Sequence, residues 1–252
     1  MSNPFSRSEL IFGAEAIETL KRRRVAVFGI GGVGGYVVEA LARGGVGALD
    51  LVDDDTVALT NLNRQIIATY DTIGRSKVEV AAERVRSINP DCRVTQHRTF
   101  FLPETAEQFD FAAYDYVVDA IDTVAGKLGL IGACKAAGTP IICAMGAGNK
   151  VDPTAFRVAD IGKTEGDPLA RVIRTECRKR GWKNVKVVYS KEQPTAAASE
   201  QTLADVRTEG KTARRRSVPG STSFVPPVMG MILAGEVIKD LVGFTDRPDR
   251  AQ

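Results

Sequence analysis

The chain has 252 residues, 44% of them hydrophobic, and a formal net charge of +3, enough apolar content for one large core or a core with an appended lobe. The first twenty residues carry charges without an apolar run, and the apolar stretch 224–242 contains two prolines, Glu236 and Lys239. An export signal and a membrane span are therefore not expected, and four cysteines without a CxxC pair fit a reducing cytoplasm and make a structural zinc site improbable.

A short helix opens the chain, and Val25, Ala26, Val27 and Phe28 predict a strand. Gly29, Ile30, Gly31, Gly32, Val33 and Gly34 follow, and residues 36–43 read as a helix. Strand, tight turn and helix N-terminus in that order suit a phosphate, because a side chain would block the turn and the helix end favours negative charge. The glycine motif alone would also fit a turn chosen for packing. Residues 48–52 read as a second strand ending in Asp53, Asp54 and Asp55, with Asp53 placed 19 residues after Gly34. An acid there can accept hydrogen bonds from both ribose hydroxyls, in NAD as well as in ATP.

The polar cluster Asn61, Leu62, Asn63, Arg64 and Gln65 comes next, and Lys77 opens a helix whose Val78, Ala81, Ala82, Val85 and Ile88 form an apolar face. Hydride transfer needs no fixed cations beside the pyrophosphate. Cleavage of the α-β bond of ATP does, because charge develops on the leaving pyrophosphate, and Arg64 and Lys77 are candidates to meet it. Ordinary surface charge is the plain alternative for both. A strand at 116–120 runs into Asp122 of the string DAIDT, and Asp119 is a second acid at that strand end. A carboxylate there suits a hard cation.

Further on, residues 130–137 read as a helix holding Cys134, and 141–144 as a strand holding Cys143, both as core packing. Cys177, flanked by charge, is expected to be exposed. After Gly146, Ala147, Gly148 and Asn149 the pattern changes: residues 156–160 and 185–189 read as strands flanking a basic helix, and 228–241 as a closing helix. Arg171, Arg174, Arg178, Lys179, Arg180, Lys183 and Lys186 crowd that basic segment around Trp182, and Arg214, Arg215 and Arg216 form a second cluster. Such density attracts a phosphate backbone, although a solvated helix face would look the same. Between the clusters, the polar stretch near 190–220 predicts a mobile loop. The fold class is α/β and Rossmann-like, a mostly parallel sheet with helices on both faces. One domain over 1–252 is expected, with a nucleotide-binding half at about 21–150 and a continuous substrate-facing half at about 151–245.

The string GIGGVGGYVVEALARGGVGALDLVDDDTVALTNLNRQ, followed by GRSKVEVAAERVRSINP and VVDAIDT, resembles the adenylation core of ubiquitin-activating enzymes and of the ThiF and MoeB adenylyltransferases. FSRSELIFG, MGAGNKVDPT, VADIGKTEGDPLARV and SFVPPVMGMILAGEVIKDL resemble one branch, the tRNA threonylcarbamoyladenosine dehydratases, over most of residues 5–243. The resemblance implies that Gly29, Gly31, Gly32 and Gly34 cradle ATP phosphate, Asp53 holds ribose, Asp55 and Asn61 line the pocket, Arg64 and Lys77 bind triphosphate, and Asp122 holds Mg²⁺. It also implies that Arg7 reaches a partner subunit's site in a homodimer. The implied activity is ATP-dependent cyclisation of N6-threonylcarbamoyladenosine beside a tRNA anticodon, with a cysteine desulfurase system as a possible partner. An adenylyltransferase for a small sulfur-carrier protein is the alternative.

Overall fold

The structure, a computed structural model, describes residues 3–195 and 219–244. Two helices, α1 (Ser6–Phe12) and α2 (Ala14–Lys21), stand where one was expected. Gly13, at φ 88°, separates them. Then come β1 (Arg24–Phe28), α3 (Gly34–Gly44), β2 (Ala48–Val52), α4 (Lys77–Ile88), β3 (Arg93–His97), β4 (Tyr116–Asp119), α5 (Val124–Ala137) and β5 (Ile141–Ala144). The second half adds β6 (Phe156–Asp160), α6 (Pro168–Lys179), β7 (Lys186–Ser190) and α7 (Val225–Leu241).

The seven strands form one sheet in the order β3-β2-β1-β4-β5-β7-β6, parallel throughout except for the antiparallel β6–β7 pair. The chain winds outward from β1 through β2 to β3, then crosses back to place β4 on the other side of β1. In such sheets the crevice beyond the carboxyl ends of the two central strands is where a ligand fits. Here those ends are Phe28 and Asp119, paired in register, and they lead straight into the glycine loop and the DAIDT string.

Strand residues alternate between two apolar layers, as the period of two demands. Val25, Val27, Leu49, Leu51, Val118 and Ile142 join a core with α2, α3, α4 and α7. Ala26, Phe28, Val117, Ile141 and Cys143 join the opposite one, with α5, α6 and an aromatic group of Phe101, Phe109, Phe111 and Tyr114. Phe28 lies 5.1 and 5.2 Å, centroid to centroid, from Phe101 and Phe109 in edge-on geometry. The last helix begins at Val225, three residues earlier than the pattern suggested, because Pro226 and Pro227 occupy its first turn, where no backbone donor is needed. No helix among the described residues is long and apolar enough to cross a membrane.

Candidate nucleotide site

Two glycines are required by the turn after β1. Gly29 has φ 89°, and a Cβ there would lie 2.7 Å from the Ala120 carbonyl oxygen. A Cβ on Gly34 would lie 1.7 Å from the Gly29 carbonyl oxygen. The loop is thus folded tightly on itself and against the end of β4. On its other side stands the NLNRQ segment. A Cβ on Gly32 would come 3.2 Å from Arg64 Cγ, and one on Gly31 3.9 Å from Gln65 Nε2.

The acids after β2 are organised around the same loop. Asp53 Oδ2 accepts from the Ile30 backbone N–H at 2.6 Å and Oδ1 from that of Asp55 at 2.9 Å. Lys77, buried at the start of α4, donates to Asp55 Oδ2 at 2.9 Å and lies 3.8 Å from Asp53 Oδ1. Asp54 is pushed above the usual carboxylate range by partial burial and by the adjacent charges of Asp55 and Asp53. Asn61 Oδ1 accepts from the Ala58 N–H at 3.0 Å and so fixes the 3-10 turn Leu59–Asn61 that delivers Arg64.

Arg64, unlike Lys77, has no acid beside it among the described residues. It is half-buried, its Nη1 donates to the Thr60 carbonyl at 3.0 Å and to Asn63 Oδ1 at 2.9 Å, and it meets no carboxylate among the described residues. Burial alone lowers its pKa. A guanidinium held this way beside a glycine loop, its charge uncompensated among the described residues, is chemically suited to an anion.

At the end of β4 the two candidate acids separate. Asp119 is completely buried, with Lys127 Nζ 3.0 and 3.1 Å from its two oxygens. Burial pushes its carboxyl up, and the Lys127 ammonium pulls it back. Lys127 also donates to the Ala144 carbonyl at 2.6 Å. Asp122, by contrast, is exposed and makes no ion pair or hydrogen bond among the described residues. Three of the buried polar atoms without a partner, Gln65 Oε1, Ser76 Oγ and Thr123 Oγ1, belong to residues adjacent in sequence to Arg64, Lys77 and Asp122. Orphaned polar atoms are rare in a finished interior, and three of them lie next in sequence to the candidate site residues.

Gln65 stands in the polar cluster named from sequence without a role of its own, and Thr123 and Lys127 are not singled out there. Lys127 had a legible signal: it shares the three-and-four spacing of the buried Leu130, Ile131 and Cys134, so it had to be buried and to find an acid. Arg7 lies exposed on α1, and no hydrogen bond or ion pair joins it to the residues above.

The basic segment divides. Ala170, Ile173 and Cys177 form the buried stripe of α6, so Cys177, at 1% exposure, is interior and not exposed as expected: it faces the core while its charged neighbours face outward. Burial raises the thiols of Cys92 to about 11 and Cys134 to about 12, and raises Cys177 and Cys143 as well, so none is a thiolate at neutral pH. The helix stops at Lys179, because Gly181 takes φ 69°, which leaves Lys183 and Lys186 beyond it. Arg174 is half-buried on the Thr164 carbonyl and hydroxyl, Lys179 and Arg180 pair with Glu176, and Lys186 reaches Asp240. Arg171, Arg178 and Lys183 remain exposed. Asp167 caps α6 through the Ala170 N–H at 2.9 Å and pairs with buried Lys150 at 2.8 Å, whose Nζ also donates to the Gly146 carbonyl at 2.8 Å. That network ties the basic helix to the turn after β5. Arg214, Arg215, Arg216 and most of the predicted loop lie outside the described residues.

Sheet topology, the glycine loop after β1 and the acids after β2 together define an α/β protein of the doubly wound, nucleotide-binding class. Residues 5–251 match the ThiF family, and the chain belongs to that family. It is 45% identical over 243 residues, 96% of each chain, to the tRNA threonylcarbamoyladenosine dehydratase of Bacillus subtilis. Crystal structures of the Escherichia coli tRNA N6-threonylcarbamoyladenosine dehydratase, TcdA, in complex with ATP and with AMP superpose with TM-scores of 0.83 and 0.84, at 34% and 35% identity, covering 95% of this chain and 94% of those.

Proposed function

We infer that this chain is an ATP-dependent tRNA threonylcarbamoyladenosine dehydratase. The observation that carries the reading is Arg64, a half-buried guanidinium without an acid partner among the described residues, packed on the glycine loop of a chain whose full-length relatives bear that name. The sulfur-carrier alternative is not favoured by relatives that match from end to end.

In this reading the threonine carboxylate of the modified adenosine attacks the α-phosphorus of ATP, a P–O bond forms, and the α-β bond breaks to release pyrophosphate. An atom of the neighbouring carbamoyl group then attacks the acyl carbon, closing a ring and expelling AMP, which carries away the oxygen lost from the carboxyl. The nucleophile comes with the RNA, consistent with four buried, protonated thiols. Gly31, Gly32 and Gly34 receive phosphate on their N–H groups, Gly29, whose N–H is spent on the Val52 carbonyl at 2.8 Å, shapes the turn that presents them, and Asp53 receives ribose, with Asp55 and Asn61 at the pocket edge. Arg64 and Lys77 stabilise the charge that develops on the leaving pyrophosphate. Lys77 must exchange Asp55 for phosphate to do so.

The residues at the end of β4 fit Mg²⁺. Asp122 offers a carboxylate with no partner among the described residues, and the orphaned Thr123 Oγ1 stands beside it in sequence, whereas Asp119 is committed to Lys127. When bound, the ion would polarise the phosphoryl oxygens and neutralise charge between them. We further propose that the chain acts as one unit, in the cytoplasm, with residues 151–245 facing tRNA, that it works as a homodimer in which Arg7 reaches the partner's site, and that a cysteine desulfurase system is a candidate partner.

The test is mass spectrometry of nucleosides from tRNA carrying N6-threonylcarbamoyladenosine, incubated with the protein, Mg²⁺ and ATP. Loss of one water from that nucleoside only when ATP is present is expected. An unchanged nucleoside, with adenylate formed on a sulfur-carrier protein, would reverse the assignment. A second expectation concerns the RNA. Reversing charge at Arg171, Arg178 and Lys183 together should weaken tRNA binding and reduce the slope of log affinity against log salt by about 2. An unchanged slope makes this face merely solvated.

A further inference from the structure

We propose that Asn63 is a positioning residue for ATP, fixing the Arg64 guanidinium to the backbone of the segment that leads into α7. The inference rests on the reading that Arg64 meets the triphosphate.

Asn63 is exposed, yet both ends of its amide are spent on protein atoms. Oδ1 accepts from Arg64 Nη1 at 2.9 Å, and Nδ2 donates to the Ser221 carbonyl at 3.0 Å. The two bonds fix the orientation of the amide, since an arginine can only donate and a carbonyl can only accept. With Thr60 also accepting from Nη1 at 3.0 Å, one corner of the guanidinium is saturated by neutral oxygens. Nε and Nη2 donate to no protein atom among the described residues, and the fork keeps its whole charge.

Ser221 is itself held in place. The neighbouring Gly220 bonds Asn149 in both directions, its carbonyl accepting from the Asn149 N–H at 2.8 Å and its N–H donating to Asn149 Oδ1 at 2.6 Å. Asn149 sits at φ 57°, a left-handed conformation that asparagine tolerates, and its own carbonyl accepts from the Thr195 N–H at 2.7 Å. Beyond Ser221, Thr222 Oγ1 accepts from the Val225 N–H at 3.2 Å and starts α7. One turn of chain then brings Pro226 back to the glycine loop, where a Cβ on Gly32 would lie 3.3 Å from Pro226 Cβ and 3.2 Å from Arg64 Cγ. The stem of Arg64 is thus confined at Gly32 and its head is fixed through Asn63.

A long cationic side chain loses rotamer freedom when it grips a phosphate, and one already held in place loses less. A carboxylate could hold Arg64 equally well but would neutralise it. A neutral amide positions the charge and leaves it for the ligand. Asn63 therefore acts through Arg64 and favours the nucleotide with the longer phosphate chain.

The experiment is calorimetric binding of ATP and of AMP, each with Mg²⁺, to the full chain and to the N63A, R64A and N63A/R64A variants. N63A should weaken ATP about tenfold and leave AMP within about twofold. The double variant should bind ATP no worse than R64A, because Asn63 has no effect once Arg64 is gone. ATP affinity unchanged in N63A, equal losses for ATP and AMP, or additive losses in the double variant would each overturn the inference. If R64A itself leaves ATP binding intact, the assignment of Arg64 to the triphosphate fails first, and the inference falls with it.

Discussion

Asp122→Ala lowers ATP-dependent dehydration by about a hundredfold or more and leaves the melting temperature within a degree or two of the unaltered chain. The two halves of that expectation come from one contrast. Asp119 ends β4 and Asp122 lies three positions further on, in the loop before α5, but only Asp119 contributes to the interior, through Lys127 and the Ile121 N–H at 3.2 Å. Asp122 projects from the crevice end of β4 with no protein partner among the described residues, so its removal exposes no buried charge and leaves no donor unsatisfied. What it removes is a carboxylate in the loop just beyond β4, where the proposed hard cation would be held. Turnover is read from the nucleoside and folding from thermal unfolding. Retained turnover in Asp122→Ala moves the metal role elsewhere, and a large loss of melting temperature shows that the carboxylate supports the fold.

Much of this arrangement was legible because chain order and local chemistry pointed the same way. The strand residues 48–52, 141–144 and 156–160 were read to the residue, since β-branched and apolar runs bounded by glycine, proline or acid leave little choice of boundary. The glycine loop was legible because no other residue fits where a Cβ would meet a carbonyl oxygen. Partnership was less visible. Nothing local in the sequence says that Lys77 is held by Asp55 or that Arg174 turns inward onto Thr164, because such pairs form between segments that only the sheet brings together. The exposed reading of Cys177 failed for a related reason: flanking charges describe the neighbours, whereas the positions of Ala170 and Ile173, seven and four residues earlier, describe the face. Local charge density likewise overstated the basic patch, since Glu176 sits one turn from both Lys179 and Arg180.

The largest effect on stability is expected from Lys127→Met, a substitution far from any surface. Methionine fills a similar volume in the layer of Leu130, Ile131 and Cys134, so the cost is electrostatic: Asp119, entirely buried, loses the Lys127 cation, and the Ala144 carbonyl loses a donor. Breaking a buried pair by removing one partner costs about 3–5 kcal/mol, which for a chain of this size lowers the melting temperature by about 10 °C or more. The loss should depend on pH in a definite direction. An unfolded aspartate titrates near about 3.9, whereas burial raises the folded Asp119 carboxyl above its ordinary value, and more so without Lys127. The folded variant prefers the protonated acid, so the penalty for ionising it grows as pH rises from about 4 toward the raised value. The gap in melting temperature between Lys127→Met and the unaltered chain is therefore wider at pH 8 than at pH 5. Adding Asp119→Asn removes the charge and should recover part of the loss at pH 8 while abolishing its pH dependence. A gap that is small, or the same at both pH values, would mean that Asp119 finds water or another donor once Lys127 is gone, and that the end of β4 is less dry than its burial implies.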